Sequence, residues 1–209
     1  MSQNHEYALL GGYNRSHLGR WLGSIAAVVS GALVFLLLSA VDLAKALGWP
    51  VNVPPTILSL IGAGAVYGVL YWLFDRHIWK IGPIGRLLKL PDLSGKWVCV
   101  GQPLETGQAT AWQGTMTIIQ SWDRLRICLV TPQSRSNSVA AALLHDEVVG
   151  YRLMYHYQNQ PVPAAIELAP HHGFAELTFA PGEASATGDY FNGRGRNTFG
   201  TMLLAREVA

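Results

Sequence analysis

Two long apolar stretches interrupt the alternation of polar and hydrophobic positions in this chain. Leu22–Val41 reads LGSIAAVVSGALVFLLLSAV and Pro55–Phe74 reads PTILSLIGAGAVYGVLYWLF, each about twenty residues without a charge. That length crosses about 30 Å of hydrocarbon at 1.5 Å per residue of helix. Lipid offers no partners for free backbone groups, so both stretches are predicted to be transmembrane helices. After Pro91 the pattern shortens to period-two alternation between turn residues, the signature of half-buried strands. Eight strands are predicted, at about 95–104, 109–122, 124–134, 136–148, 151–160, 172–180, 184–193 and 196–207. Short links between consecutive strands suit an antiparallel meander. Eight such strands close naturally into a barrel, which removes exposed edges.

The expected architecture is therefore membrane-anchored and all-β. Residues 1–91 hold an N-terminal tail, two spans (about 22–41 and 55–74) and an interfacial linker, and residues 92–209 hold the barrel. A cleaved signal peptide fits poorly, because the first core is too long and a second span follows at once. Two buried helices of a soluble bundle would hardly stay charge-free for so long.

Composition supports this division. Charged residues make up 13% of the chain, about half the usual share in soluble domains. Residues 1–91 carry seven Lys/Arg and three Asp/Glu, whereas residues 92–209 carry eight and ten. A slightly acidic barrel is a poor partner for DNA or RNA polymers, which are bound through phosphate neutralisation. Arg15 and Arg20 precede the first span, Arg76, Lys80, Arg86 and Lys89 follow the second, and the loop between holds only Lys45 beside Asp42. The positive-inside rule places both ends, and the barrel with them, in the cytoplasm. Cys99 and Cys128 then stay reduced, and both read as small buried hydrophobes.

Small residues mark contact faces on the spans. Gly64 and Gly68 form a GxxxG, and Gly23, Ala27 and Gly31 recur every fourth residue. Such ridges allow close approach of helix backbones. One ridge suits packing between the two spans, and two ridges leave a spare face for homo-oligomer contacts.

Candidate chemistry lies on the strand faces. Leu153, Tyr155, Tyr157 and Asn159 share a face, and Ser134, Ser136 and Ser138 begin one that continues through Ala140, Ala142 and Leu144. Tyr190, Arg194, Arg196 and Thr198 gather near one end, with Gly193 and Gly195 flanking the first arginine. An eight-stranded barrel either fills with side chains or holds one small ligand. If these faces point inward, serine hydroxyls, aromatic walls and two guanidiniums suit a small phosphorylated or carboxylated ligand. No nucleophile–base pair and no set of metal-ligand spacing is present in the sequence, so neither enzyme activity nor a metal or cofactor is expected. Residues alone lead to a membrane-anchored small-ligand barrel; the rival reading is a tethered carrier of a lipid or fatty acid.

Several segments carry a resemblance: DLSGKW at Asp92–Trp97, WQGTMTIIQSW at Trp112–Trp122, SRSNS at Ser134–Ser138, LMYHYQN at Leu153–Asn159, HHG at His171–Gly173 and GDYFNGRGRNTFG at Gly188–Gly200. In this order behind two spans, the chain resembles the two-transmembrane β-barrel effectors of bacterial cyclic-oligonucleotide-based antiphage signalling (CBASS). The resemblance implies a lipocalin-like barrel and a cyclic dinucleotide ligand made by a partner nucleotidyltransferase. It further implies oligomerisation in the inner membrane, disruption of that membrane and death of the infected cell. The strand faces, weighted toward these shared segments, make Ser134, Ser136, Ser138, Tyr155, Tyr157, Tyr190, Arg194, Arg196 and Thr198 the expected ligand-binding residues, and the small-residue ridges make Gly23, Ala27, Gly31, Gly64 and Gly68 the expected oligomer contacts.

Overall fold

A computed structural model describes residues 4–60, 62–104, 110–163, 169–193 and 198–207. The chain divides into a helical unit, Tyr13–Trp79, and a β unit made of Met1–Gly12 and Lys80–Ala209.

In the helical unit, α1 spans Arg15–Ala46, and the Asn14 side chain caps it by accepting from the Ser16 N–H at 2.8 Å. The second apolar run forms α2 (Pro55–Leu60) and α3 (Ala63–Arg76). Gly62 between them is extended, and its carbonyl accepts from the Ala65 and Val66 amides in the first turn of α3. Leu22, Ala26 and Ser30 form a buried stripe on α1, the face expected where α1 packs against α3. Most other apolar side chains, Val28, Phe35, Leu36 and Val69 among them, face outward. Water would penalise such a surface, whereas a bilayer requires it. The small-residue ridges are not used between the spans. A Cβ added at Gly23, Gly31, Gly64 or Gly68 would meet nothing within 4 Å, and Ala27 is exposed. The expectation that one ridge packs span against span is therefore not met: the buried stripe of α1, Leu22, Ala26 and Ser30, is offset by one residue from Gly23, Ala27 and Gly31, and the ridge glycines keep open space beside them.

The β unit contains all eight predicted strands in order: β2 Gly95–Pro103, β3 Trp112–Gln120, β4 Arg124–Val130, β5 Ser134–Asp146, β6 Gly150–Pro161, β7 His171–Phe179, β8 Ser185–Asn192 and β9 Phe199–Arg206. They form the expected antiparallel meander, with β9 returning to pair with β2. One strand was not expected. β1, His5–Leu10, lies in what the sequence suggested was only a tail, and it makes the barrel nine-stranded. The reason is a gap. β4 has 7 residues and β5 has 13, and the two pair only from Cys128↔Asn137 to Val130↔Arg135. Beyond that point β1 enters, parallel to β5 (Tyr7↔Ala141 to Leu10↔Leu144) and antiparallel to β4 at His5↔Leu125. It covers a β5 edge that would otherwise offer unpaired backbone groups. The barrel is thus antiparallel except at this one pairing.

β5 brings a second correction. A bulge between Ser138 and Ala140 shifts its register. Ser134, Ser136 and Ser138 are buried, but the buried residue beyond the bulge is Leu143, not Ala140, Ala142 or Leu144. One extra residue reverses the in–out phase of everything after it.

The barrel core divides lengthwise. At one end Trp97, Met116, Ile118, Leu125, Ile127, Leu143, Leu153, Leu177, Phe179 and Leu204 are fully buried or nearly so. Each such side chain contributes about 1.5–3 kcal/mol relative to exposure. The segment entering β2 seals this end. Leu93 is buried, its N–H donates to Gln120 Oε1 at 2.9 Å, and Gln120 Nε2 donates to the Pro91 carbonyl at 3.2 Å. Arg206 Nη2 donates to the carbonyls of Asp92 and Ser94, and its guanidinium lies 5.1 Å from the Trp97 ring. The DLSGKW segment is therefore a closure of the barrel floor. Ahead of it, α4 (Gly82–Leu88) ends in Lys89, whose φ of 53° is the left-handed cap of that helix.

Cys99 is buried in this core. Burial pushes its thiol up to about 12. Cys128, expected to be buried too, is only half-buried, because Leu125 and Ile127 take the inward phase of β4.

Candidate functional site

The opposite end of the barrel is polar. β2, β4, β6 and β8 end there and β3, β5, β7 and β9 begin there, so the connections after β2, β4, β6 and β8 all leave from it. Its inward positions hold Ser134, Ser136 and Ser138 from β5, Tyr155, Tyr157 and Asn159 from β6, His171 from β7 and Tyr190 from β8, all buried. Two levels follow from the register. Ser136, Asn159 and His171 are paired neighbours, and Ser138, Tyr157, Gly173 and Asn192 form the next level toward the floor.

Glycines make room for the rings. A Cβ on Gly173 would stand 2.4 Å from Tyr157 Cζ, and one on Gly101 would stand 2.0 Å from the Trp112 ring. Across the sheet from Tyr190, a Cβ on Gly200 would come within 2.8 Å of its hydroxyl. Trp112, Tyr157 and Tyr190 thus lie against or beside backbone where any side chain would clash. Their polar ends are tied down. Trp112 Nε1 donates to Tyr190 Oη at 3.2 Å, and Tyr157 Oη donates to Asn192 Oδ1 at 2.8 Å. Asn192 Nδ2 in turn donates to Thr198 Oγ1 at 2.6 Å. Tyr155 and Tyr157 have ring centroids 5.9 Å apart. Burial is the main reason the Tyr155 phenol is held well above its usual value, and the neighbouring Cys99 and Tyr157 push the same way. It stays neutral across the physiological range.

The serines differ in their commitments. Ser138 Oγ accepts from the Ile127 N–H at 2.9 Å and lies 2.7 Å from His5 Nε2. Ser134 and Ser136 both accept from Asn159 Nδ2, at 2.9 and 2.8 Å. The structure thus gathers seven of the nine expected ligand residues at one end of the barrel interior or its rim: Ser134, Ser136, Ser138, Tyr155, Tyr157, Tyr190 and Thr198. Arg194 and Arg196 lie outside the described residues; Asn192 and Thr198, close on either side of them, stand at this same end. Sequence reasoning missed Trp112, Asn159, His171 and Asn192 as members. Alternation alone does put Asn159 on the face of Tyr155 and Tyr157, whereas the other three depend on cross-strand register. His171 Nδ1 lies 3.1 Å from the Ala169 carbonyl, while His172 points outward and stacks on His156 at 5.3 Å.

The arrangement is a hydroxyl-rich and aromatic end of the barrel interior. It offers ring faces for stacking and donors and acceptors for polar edges. Its described inward residues carry no fixed charge, so an anionic ligand would need cations from the rim. Among the described residues, no group of three or more His, Cys, Asp or Glu side chains converges.

Two family models match the chain. Residues 16–80 match the Cap15 transmembrane helices, and residues 88–206 match the Cap15 cyclic dinucleotide receptor domain. The chain is also 40% identical over 204 residues to the CD-NTase-associated protein 15 of Yersinia aleksiciae, covering 98% of each.

Proposed function

The chain belongs to the Cap15 family of CBASS effectors with transmembrane helices, and from that premise we propose that it is a membrane-anchored receptor for a cyclic dinucleotide, without enzymatic activity of its own. The observation that carries the reading is the coincidence of the receptor-domain match, residues 88–206, with a barrel whose one end is lined by tyrosines and serines. A cyclic dinucleotide presents two flat bases, two ribose edges and two phosphates. Tyr155, Tyr157 and Tyr190 would border or stack on bases. Ser134, Ser136, Ser138 and Thr198 would serve the polar edges. Arg194 and Arg196 would neutralise the phosphates, since no lysine or arginine is among the described inward residues.

The proposed setting is the bacterial inner membrane, crossed twice, with the N-terminus and barrel in the cytoplasm. β1 supports this topology: residues ahead of the first apolar run pair with residues far beyond the second, so the chain between them crosses an even number of times. Binding shifts the protein toward an assembled state through differential affinity. The outward ridges of Gly23, Ala27, Gly31, Gly64 and Gly68 then supply homo-oligomer contacts, and the assembled spans disrupt the bilayer, killing the infected cell. The ligand comes from a partner nucleotidyltransferase.

Calorimetry on the full chain in detergent, with a panel of cyclic dinucleotides, tests the reading. One of the panel is expected to bind saturably, and Arg194→Ala with Arg196→Ala to abolish binding without changing membrane insertion. Undiminished binding by the double variant would remove the arginines from the site. Saturable binding of a fluorescent fatty acid, with no cyclic dinucleotide bound, would favour the carrier reading.

A further inference from the structure

Asn159 is buried, at 6% exposure, in the polar end of the barrel. Its amide nitrogen donates to both Ser134 Oγ and Ser136 Oγ. Those two bonds use both amide hydrogens and fix the plane of the group. Among the described residues nothing donates to its Oδ1, although that atom is buried. A buried acceptor without a donor is costly, and native proteins keep few of them. The strain is also avoidable at this position, since an aliphatic side chain of similar size would fill the site without it. The neighbouring groups do not relieve it: the paired His171 points its Nδ1 at the Ala169 carbonyl, and Ser138 is held by His5 and Ile127.

We propose that Asn159 is a specificity-determining residue, whose Oδ1 takes a hydrogen bond from an N–H or O–H donor of the bound ligand. The inference rests on the cyclic dinucleotide reading above and deepens it. An acceptor at this point repels phosphate oxygens, so the phosphates lie elsewhere and a donor-bearing edge comes here. Two parts of the ligand carry such donors: the amino or imide N–H of a base, and the 2′-hydroxyl of a ribose. The serine pair fixes the amide so that the acceptor is presented before ligand arrives, and no side-chain freedom is lost on binding. A site built this way discriminates strongly against an analogue that lacks the donor, because the analogue leaves the acceptor buried and unmet.

The test measures ratios of dissociation constants by calorimetry, on full-length protein in detergent. The probes are the best-bound cyclic dinucleotide of the panel, its analogues with each base N–H edge blocked or replaced, and its 2′-deoxy analogues. Wild type is expected to lose at least tenfold in affinity for one analogue; a base analogue points to the nucleobase, a deoxy analogue to the ribose. Asn159→Leu is expected to bring that ratio close to one. Asn159→Asp, which keeps the Oδ1 acceptor and replaces the amide nitrogen with a second oxygen, is expected to retain it. A purely architectural Asn159 would weaken all ligands alike and leave the ratio unchanged in Asn159→Leu, which overturns the inference while the receptor reading stands. If wild type binds the ligand but none of the analogues is discriminated, the inference likewise falls. If wild type binds no cyclic dinucleotide, both readings fall together.

Discussion

His5 Nε2 lies 2.7 Å from Ser138 Oγ, which joins the strand preceding the first span to a buried serine in the barrel. The same oxygen accepts from the Ile127 amide, so β1, β4 and β5 meet at one hydroxyl where β4 and β5 begin to part. One turn of the pleat further, Tyr7 is buried and its hydroxyl donates to the Ser121 carbonyl at 3.3 Å. β1 is therefore a stave of the barrel.

Tyr7→Ala is expected to cost about 3 kcal/mol through the lost ring and the cavity left behind, lowering Tm by roughly 10 °C. His5→Ala should cost about 1 kcal/mol, the worth of an ordinary hydrogen bond. Thermal unfolding of the full chain in detergent measures both. An unshifted Tm in Tyr7→Ala would mean that β1 is not part of the folded barrel.

Gly173→Ala would set a methyl group 2.4 Å from the Tyr157 ring and 2.6 Å from the Phe191 carbonyl. Overpacking of this kind costs about 1–3 kcal/mol. It should also break the Tyr157–Asn192–Thr198 chain of hydrogen bonds. Ligand affinity is expected to fall at least tenfold at a temperature where the variant remains folded, as read by calorimetry beside a melting curve. Unchanged affinity would put Tyr157 outside the site.

Alkaline pH should loosen the barrel. The Cys99 thiol titrates near 12 when folded, against an ordinary 9.0. Because the folded value is the higher one, the stabilisation is complete below pH 9 and is lost as pH rises toward 12. Over that window wild type should lose up to about 1.4 kcal/mol more per pH unit than Cys99→Val, measured by urea unfolding. Parallel curves for the two proteins would show that Cys99 does not titrate in this window. Its burial also predicts that a thiol reagent labels Cys128 well before Cys99 in the folded chain.

The outward ridges give a cleaner separation. No described residue occupies the space beside Gly31 or Gly68, so Gly31→Leu with Gly68→Leu should leave insertion and melting unchanged. Ligand-dependent crosslinking into oligomers is expected to drop at least severalfold. Crosslinking at the wild-type level would move the oligomer contact elsewhere.

What the sequence disclosed follows the range of its signals. Twenty apolar residues announce a span by themselves, and alternation finds each strand of the meander and the inward phase of Ser134 or Tyr155. Features made by register between distant strands left no such trace. The packing of Trp112 against Gly101 and of Tyr157 against Gly173 is visible only once β2 lies beside β3 and β6 beside β7. The bulge at Ser138 carries no glycine or proline to mark it, so the phase was extended straight through to Leu144. HEYALL alternates well enough for a strand, but six residues just ahead of an apolar helix are too few to stand out. Asn159 was on the right face; its unmet oxygen needed the two serines in place before it could be seen.

The barrel is assembled from two separated pieces of sequence, because Tyr7 pairs with Ala141 across the whole helical segment. Synthesis runs from the N-terminus, so β1 leaves the ribosome first and then waits, unpaired, while the apolar helices are delivered to the bilayer. Its slot exists only after β4 and β5 have been made. Closure of the barrel at β1 therefore waits on strands made long after it, and a chain in which β1 could not reach β5 would be left with an open seam.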